Sequence, residues 1–109
     1  EASLVDLKIF KTFGSFLGNS DQAFEWLIDN HEERDIKVVS CSFGSTNPTS
    51  GRDTTAQLAN RLVDEGVVVV AAVGNDGAQG IPSPASAEKV ISVGGYTDQD
   101  TIGRGDDVV

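Results

Sequence analysis

The sequence predicts an α/β fold, a mostly parallel sheet with helices on both faces, forming part of a single domain. Three observations predict it. Apolar β-branched runs alternate with amphipathic helical patterns, the joins between them are short, and residues 67–73 (Val-Val-Val-Val-Ala-Ala-Val) are apolar without alternation. A strand with no polar face needs cover on both sides, as the central strand of a parallel sheet does.

Leu4-Val5-Asp6-Leu7-Lys8-Ile9-Phe10 predicts a first strand, with Gly14 and Gly18 as loop punctuation after it. Ser20 can cap a helix whose apolar residues Ala23, Phe24, Leu27 and Ile28 share one face, ending near Asn30-His31. Residues 36–42 predict a second strand, and residues 44–51, with Pro48 among them, an exposed loop. Asp53 or Thr54 caps a second helix striped by Leu58, Ala59, Leu62 and Val63, and Gly66 stands where a left-handed residue closes it. Residues 67–73 form the centre of the sheet, residues 74–86 a Gly/Pro-rich loop, and residues 90–94 a fourth strand whose direction this pattern leaves open.

A chain of 109 residues is one domain at most. Its 8 basic residues against 17 acidic ones, net charge −9, disfavour nucleic acid and anionic membrane as partners. No run of about 18 apolar residues is present to cross a bilayer. The chain opens on Glu1-Ala2-Ser3 without a basic region and apolar run, so no secretion signal is expected within it. The lone cysteine, Cys41, excludes an internal disulfide and a Cys-cluster metal site, and its apolar surroundings predict a buried, inert thiol.

In an open parallel sheet, ligands bind beyond the carboxyl ends of the strands, where strand-to-helix loops gather. Ser42-Phe43-Gly44 and Gly74-Asn75-Asp76-Gly77 both fall at that edge. A side-chain amide there can donate to a developing oxyanion, and an extended Ser-Phe-Gly can pair its backbone with a peptide. Each segment also has an ordinary reading, since Asn-Asp-Gly after a strand commonly makes only a turn. Gly74, Gly77 and Gly80 do not read as a phosphate loop, because no Lys-Ser/Thr follows and no helix pattern starts nearby.

The combination is more specific than its parts. Val39-Ser40-Cys41-Ser42-Phe43-Gly44, a capped helix, Gly66 through the valine run to Ala71-Ala72-Val73-Gly74-Asn75-Asp76-Gly77, then Ser83-Pro84-Ala85 and Val90-Ile91-Ser92-Val93-Gly94 follow in one order. This series resembles the subtilisin-like serine proteases, the subtilases, over nearly the whole chain. Ala2-Ser3-Leu4-Val5-Asp6-Leu7-Lys8 is similar to the segment that family places after its catalytic-histidine helix.

The resemblance implies the three-layer subtilisin-like architecture and a serine endopeptidase as parent. It implies that Asn75 donates to the tetrahedral intermediate. Ser42, Phe43 and Gly44 would be the strand that pairs with substrate beside the primary specificity pocket, and Ala72, Val73 and Gly74 the opposite wall, with Val73 bulkier than the alanine often found there. Ser83-Pro84-Ala85 is similar to a segment that commonly carries a cis-proline. A polypeptide substrate, a propeptide in the parent and an extracellular or cell-envelope location follow from the same resemblance. No cofactor is expected in this chain, while the resemblance leaves room for calcium in the parent.

The departures bear on activity. The family's Asp, His and Ser signatures are all missing, and no Gly-Thr-Ser occurs. Asp6 lacks the small-Gly pair that follows the family's aspartate, and the only histidine, His31, sits in Asn30-His31-Glu32-Glu33 at a predicted helix end, where a solvated residue is expected. The chain is therefore expected to begin after the catalytic histidine, to stop before the nucleophile, to be inactive alone and to self-associate through uncovered edges. Two other readings stay open from sequence: a non-catalytic module that binds peptides in the same groove, and a small flavodoxin-like ligand-binding domain.

Overall fold

The computed structural model describes residues 1–10 and 17–96. Within them the order is α1 (Leu17–Asn30), β1 (Val38–Cys41), α2 (Thr54–Asp64), β2 (Val68–Ala72), a single 3₁₀ turn at Gly77–Gln79 and β3 (Ile91–Val93). The three strands form one parallel sheet in the order β1-β2-β3, which places the valine run at its centre and settles the direction of the last strand. Val38 to Cys41 run beside Val68 to Ala71, and Val70, Ala71 and Ala72 beside Ile91, Ser92 and Val93.

The second helix follows its sequence signals closely. Asp53 sits in extended backbone and its Oδ1 accepts from the Ala56 amide at 3.2 Å, satisfying one of the orphan donors of the first turn. Gly66, with φ 95°, turns the chain into β2. Thr55, Ala56, Ala59 and Leu62 are the buried stripe. The first helix starts three residues ahead of the expected cap, so Gly18 lies inside it and Ser20 is buried in its second turn. Thr55 Oγ1 donates to Asp21 Oδ1 at 2.5 Å, and His31 Nε2 lies 2.9 Å from Glu65 Oε2. The N-terminal part of α1 is joined to the start of α2, and the residues just past the two C-termini are joined to each other, so α1 and α2 run side by side in the same direction, as successive crossover helices should.

One expectation fails. Residues 4–10 are not a strand: no ladder runs through them among the described residues, with Leu4 fully exposed and Leu7 and Ile9 only half-buried. Apolar β-branched composition does not by itself make a strand, since strand preference depends on the pairing and packing that the context supplies. The segment is tied instead by Asn19 Nδ2 donating to the Ile9 carbonyl at 2.7 Å and by Phe10 meeting Phe43 edge to face at 6.3 Å. Gly14 lies outside the described residues.

The core joins Phe24 and Leu27 of α1, Ala56, Ala59 and Leu62 of α2, and Cys41, Val69 and Ala71 of the sheet, closed by Ala85, Ala87 and Val90. Burial pushes the Cys41 thiol up to about 11, so it stays protonated and inert. All these strand side chains leave one face of the sheet. On the other face Val38, Val68, Ile91 and Val93 are between 43% and 60% exposed, and no described element covers them.

The cap at Asp53 carries a pH prediction. Burial alone would raise its carboxyl, but the hydroxyls of Thr49 and Ser83 and the Ala56 amide face the charged form and win, holding it below its ordinary 3.8. A carboxyl lowered in the folded state stabilises above its unfolded value and loses that stabilisation as pH falls through the folded one. Asp53→Ala should therefore cost about 1 kcal/mol near neutral pH and less below about pH 4, read from unfolding midpoints across that range. An equal cost at every pH would mean that the carboxylate charge contributes nothing.

Candidate functional site

At the carboxyl edge of the sheet, the segments leaving β1 and β2 lie next to each other because the strands are parallel neighbours in register. Ser42 is exposed and Phe43 and Gly44 are half-buried as the first segment leaves. Beside it Ala72 ends β2 exposed, and Val73 is half-buried, its amide donating to the Val93 carbonyl at 3.0 Å. Gly74 then takes φ 91°, a conformation costly for any side chain, and this reversal puts Asn75 on the surface in a bend. Among the described residues no hydrogen bond ties down the Asn75 amide. All seven residues that the sequence singled out thus gather at one edge.

The loop after Asn75 folds back over this edge and locks it. The Ser45 amide donates to the Ser83 carbonyl at 2.9 Å, and the Ser83 amide donates to Ser45 Oγ at 3.1 Å, while Ser45 Oγ donates to the Asn47 carbonyl at 2.7 Å. Pro48 bridges Pro82 antiparallel, and the Thr49 amide donates to the Ile81 carbonyl at 3.2 Å. The Ser83–Pro84 bond is cis. Ser83 and Pro84 are buried, and Thr49 Oγ1 and Ser86 Oγ share a hydrogen bond of 2.6 Å.

Two participants escape a reading of the sequence. Pro82 stands between the two strand ends: a Cβ on Gly44 would meet its Cγ at 2.6 Å, and one on Gly74 would meet the same atom at 3.6 Å. Asp53, read only as a cap, is also near enough to the loop for the Thr49 and Ser83 hydroxyls to help hold its carboxyl low, while its Oδ2 and Ser83 Oγ are both buried outside hydrogen-bonding geometry among the described residues. The available signal was the pair of glycines at adjacent strand ends, since close backbone approach is a common reason for Gly there.

His31 corrects the expectation of a solvated residue. It is 6% exposed, covered by the helix pair and bonded to Glu65. It also sits at the wrong end, because α1 and α2 both finish before β1 and β2 begin. At about 3.3 Å per residue, β2 alone puts roughly 16 Å between that end and the edge carrying Asn75. Among the described residues no three His, Cys, Asp or Glu side chains converge to hold a metal ion, and no helix is long and apolar enough to cross a membrane.

The subtilase family profile matches residues 1–105. The serine protease AprX of Bacillus subtilis is 34% identical over 119 residues, covering 100% of this chain and 27% of that protein. Subtilisin Savinase of Lederbergia lenta is 35% identical over 99 residues, covering 90% of this chain and 34% of its own length. Among solved structures, a psychrophilic protease shares the fold with a TM-score of 0.65 at 25% identity, covering 88% of this chain and 31% of the other. The chain spans about a quarter to a third of the length of these relatives.

Proposed function

Because this chain belongs to the subtilase family, we propose that it is the substrate-aligning and oxyanion-binding part of a serine endopeptidase whose nucleophile, base and orienting carboxylate lie outside it. The observation that carries this reading is Asn75, exposed at the end of the central strand with its amide untethered, beside the segment 42–44. In this reading the backbone of Ser42, Phe43 and Gly44 pairs with an extended polypeptide, and Ala72, Val73 and Gly74 form the facing wall. When a serine attacks the scissile carbonyl, the oxygen becomes an anion that accepts from the Asn75 amide, a stronger bond than the uncharged carbonyl could make. A polypeptide is the substrate, a propeptide is a partner of the parent, and family resemblance supports placing the parent outside the cell or in its envelope.

Reaction of the full-length protein with a fluorogenic peptide and a serine-directed phosphonate tests the reading. Turnover should be abolished as one serine beyond this chain is labelled. A groove that binds peptide with neither turnover nor labelling would favour a non-catalytic peptide-binding module. The chain by itself should show no turnover and no labelling, since a lone oxyanion donor supplies neither nucleophile nor proton transfer. Labelling of any serine within residues 1–109 would contradict this.

The chain alone should also self-associate, because the exposed valine face and both outer strands are unpartnered among the described residues. Light scattering should show a mass that rises with concentration, and a clean monomer at high concentration would count against the prediction.

A further inference from the structure

We propose that Pro82 sets the specificity of this groove by filling the space between its two walls, so that the enzyme accepts only a small side chain, of glycine or alanine size, on the acyl side of the cut bond. The proposal rests on the endopeptidase reading above and names its substrate class. Three observations carry it. The Pro82 ring stands where a side chain on Gly44 would go, its Cγ only 2.6 Å from a Cβ there, and the same atom reaches the other wall, in van der Waals contact at 3.6 Å with a Cβ on Gly74. The ring is itself buried, so it is packed into that space rather than standing beside it. And it cannot readily withdraw: proline fixes its own φ, Pro48 bridges it on one side, and the reciprocal Ser45–Ser83 bonds hold the next residue.

A bulky substrate side chain entering between residues 42–44 and 72–74 therefore meets a fixed pyrrolidine ring, with Phe43 and Val73 half-buried on either wall. Such a steric limit discriminates by size, and each methylene admitted or refused in an apolar pocket changes kcat/KM by roughly 10–200-fold.

The test uses the full-length protein and two peptide anilides identical except for Ala or Phe on the acyl side of the cut bond. The unmodified protein should prefer Ala by at least tenfold. Pro82→Ala, which removes the ring but keeps Cβ, should raise the Phe/Ala ratio of kcat/KM by about tenfold, and Pro82→Gly should raise it further. The ratio is the readout because a general loss of folding or activity lowers both substrates together and leaves it unmoved. Equal cleavage of Ala and Phe by the unmodified protein overturns the proposal while leaving the endopeptidase reading intact, as does an unchanged ratio in a Pro82→Ala protein that still cleaves Ala. A full-length protein that cleaves no peptide overturns the endopeptidase reading, and the proposal with it.

Discussion

Asn75→Leu in the full-length protein should lower kcat by roughly 10²–10³ with KM little changed, a size known for a subtilisin oxyanion asparagine rather than one computed from this geometry. Leucine matches asparagine closely in size but has no N–H. The ground-state carbonyl is a weaker acceptor than the tetrahedral oxyanion, so the lost bond is felt mainly in the transition state. In free energy the change is about 2.7–4 kcal/mol, more than a typical neutral hydrogen bond contributes, which fits a charged acceptor shielded from water. Asp76, one residue on, starts the 3₁₀ turn and its side chain makes no cap bond, so Asp76→Asn should cost far less. Steady-state kinetics on a soluble peptide separates the two. A defect confined to KM would mean that Asn75 only binds substrate.

Leu62→Ala should damage the fold severely, costing about 2–5 kcal/mol. Leu62 is fully buried in α2, in the cluster that joins Phe24, Val69 and Ala71, so truncation removes contacts from both helices and the sheet. The core around it is built from small residues, Ala56, Ala59 and Ala71, which cannot swing in to fill the gap. Arg61→Ala is the control: that side chain is exposed and meets Glu65 only through a surface ion pair of 3.3 Å, which contributes about 0–1 kcal/mol. Unfolding of the full-length protein in urea should show the large shift for Leu62 alone. Comparable shifts for both would mean that α2 is held by its surface rather than by its packing.

The parts of the fold legible in the sequence were those decided locally. Asp53, the stripe from Leu58 to Val63 and Gly66 each act within a few residues, and α2 forms where they place it. The valine run announced a central strand, and β2 does have a parallel neighbour on each side, although among the described residues only one of its faces is covered. Contacts made across the chain were not legible. Residues 4–10 carry strand-like composition but take no strand assignment among the described residues, and His31 looked solvated because nothing near it in sequence reveals Glu65, 34 positions away. The same limit divides the site. Asn75 and its neighbours were named because two strand ends and an ordered series of segments point to them, whereas Pro82 emerges only once the loop folds back between Gly44 and Gly74.

The central claim is that the Asn75 amide binds the oxyanion and not the substrate. Its most direct test compares a peptide aldehyde, which forms a tetrahedral adduct with the serine, against the corresponding product peptide, in the full-length protein and in Asn75→Leu. Only the adduct carries a tetrahedral oxygen for the amide to bond. The prediction is that Asn75→Leu weakens aldehyde inhibition by at least about tenfold and leaves product-peptide affinity unchanged. Equal weakening of both ligands, or of neither, would contradict it.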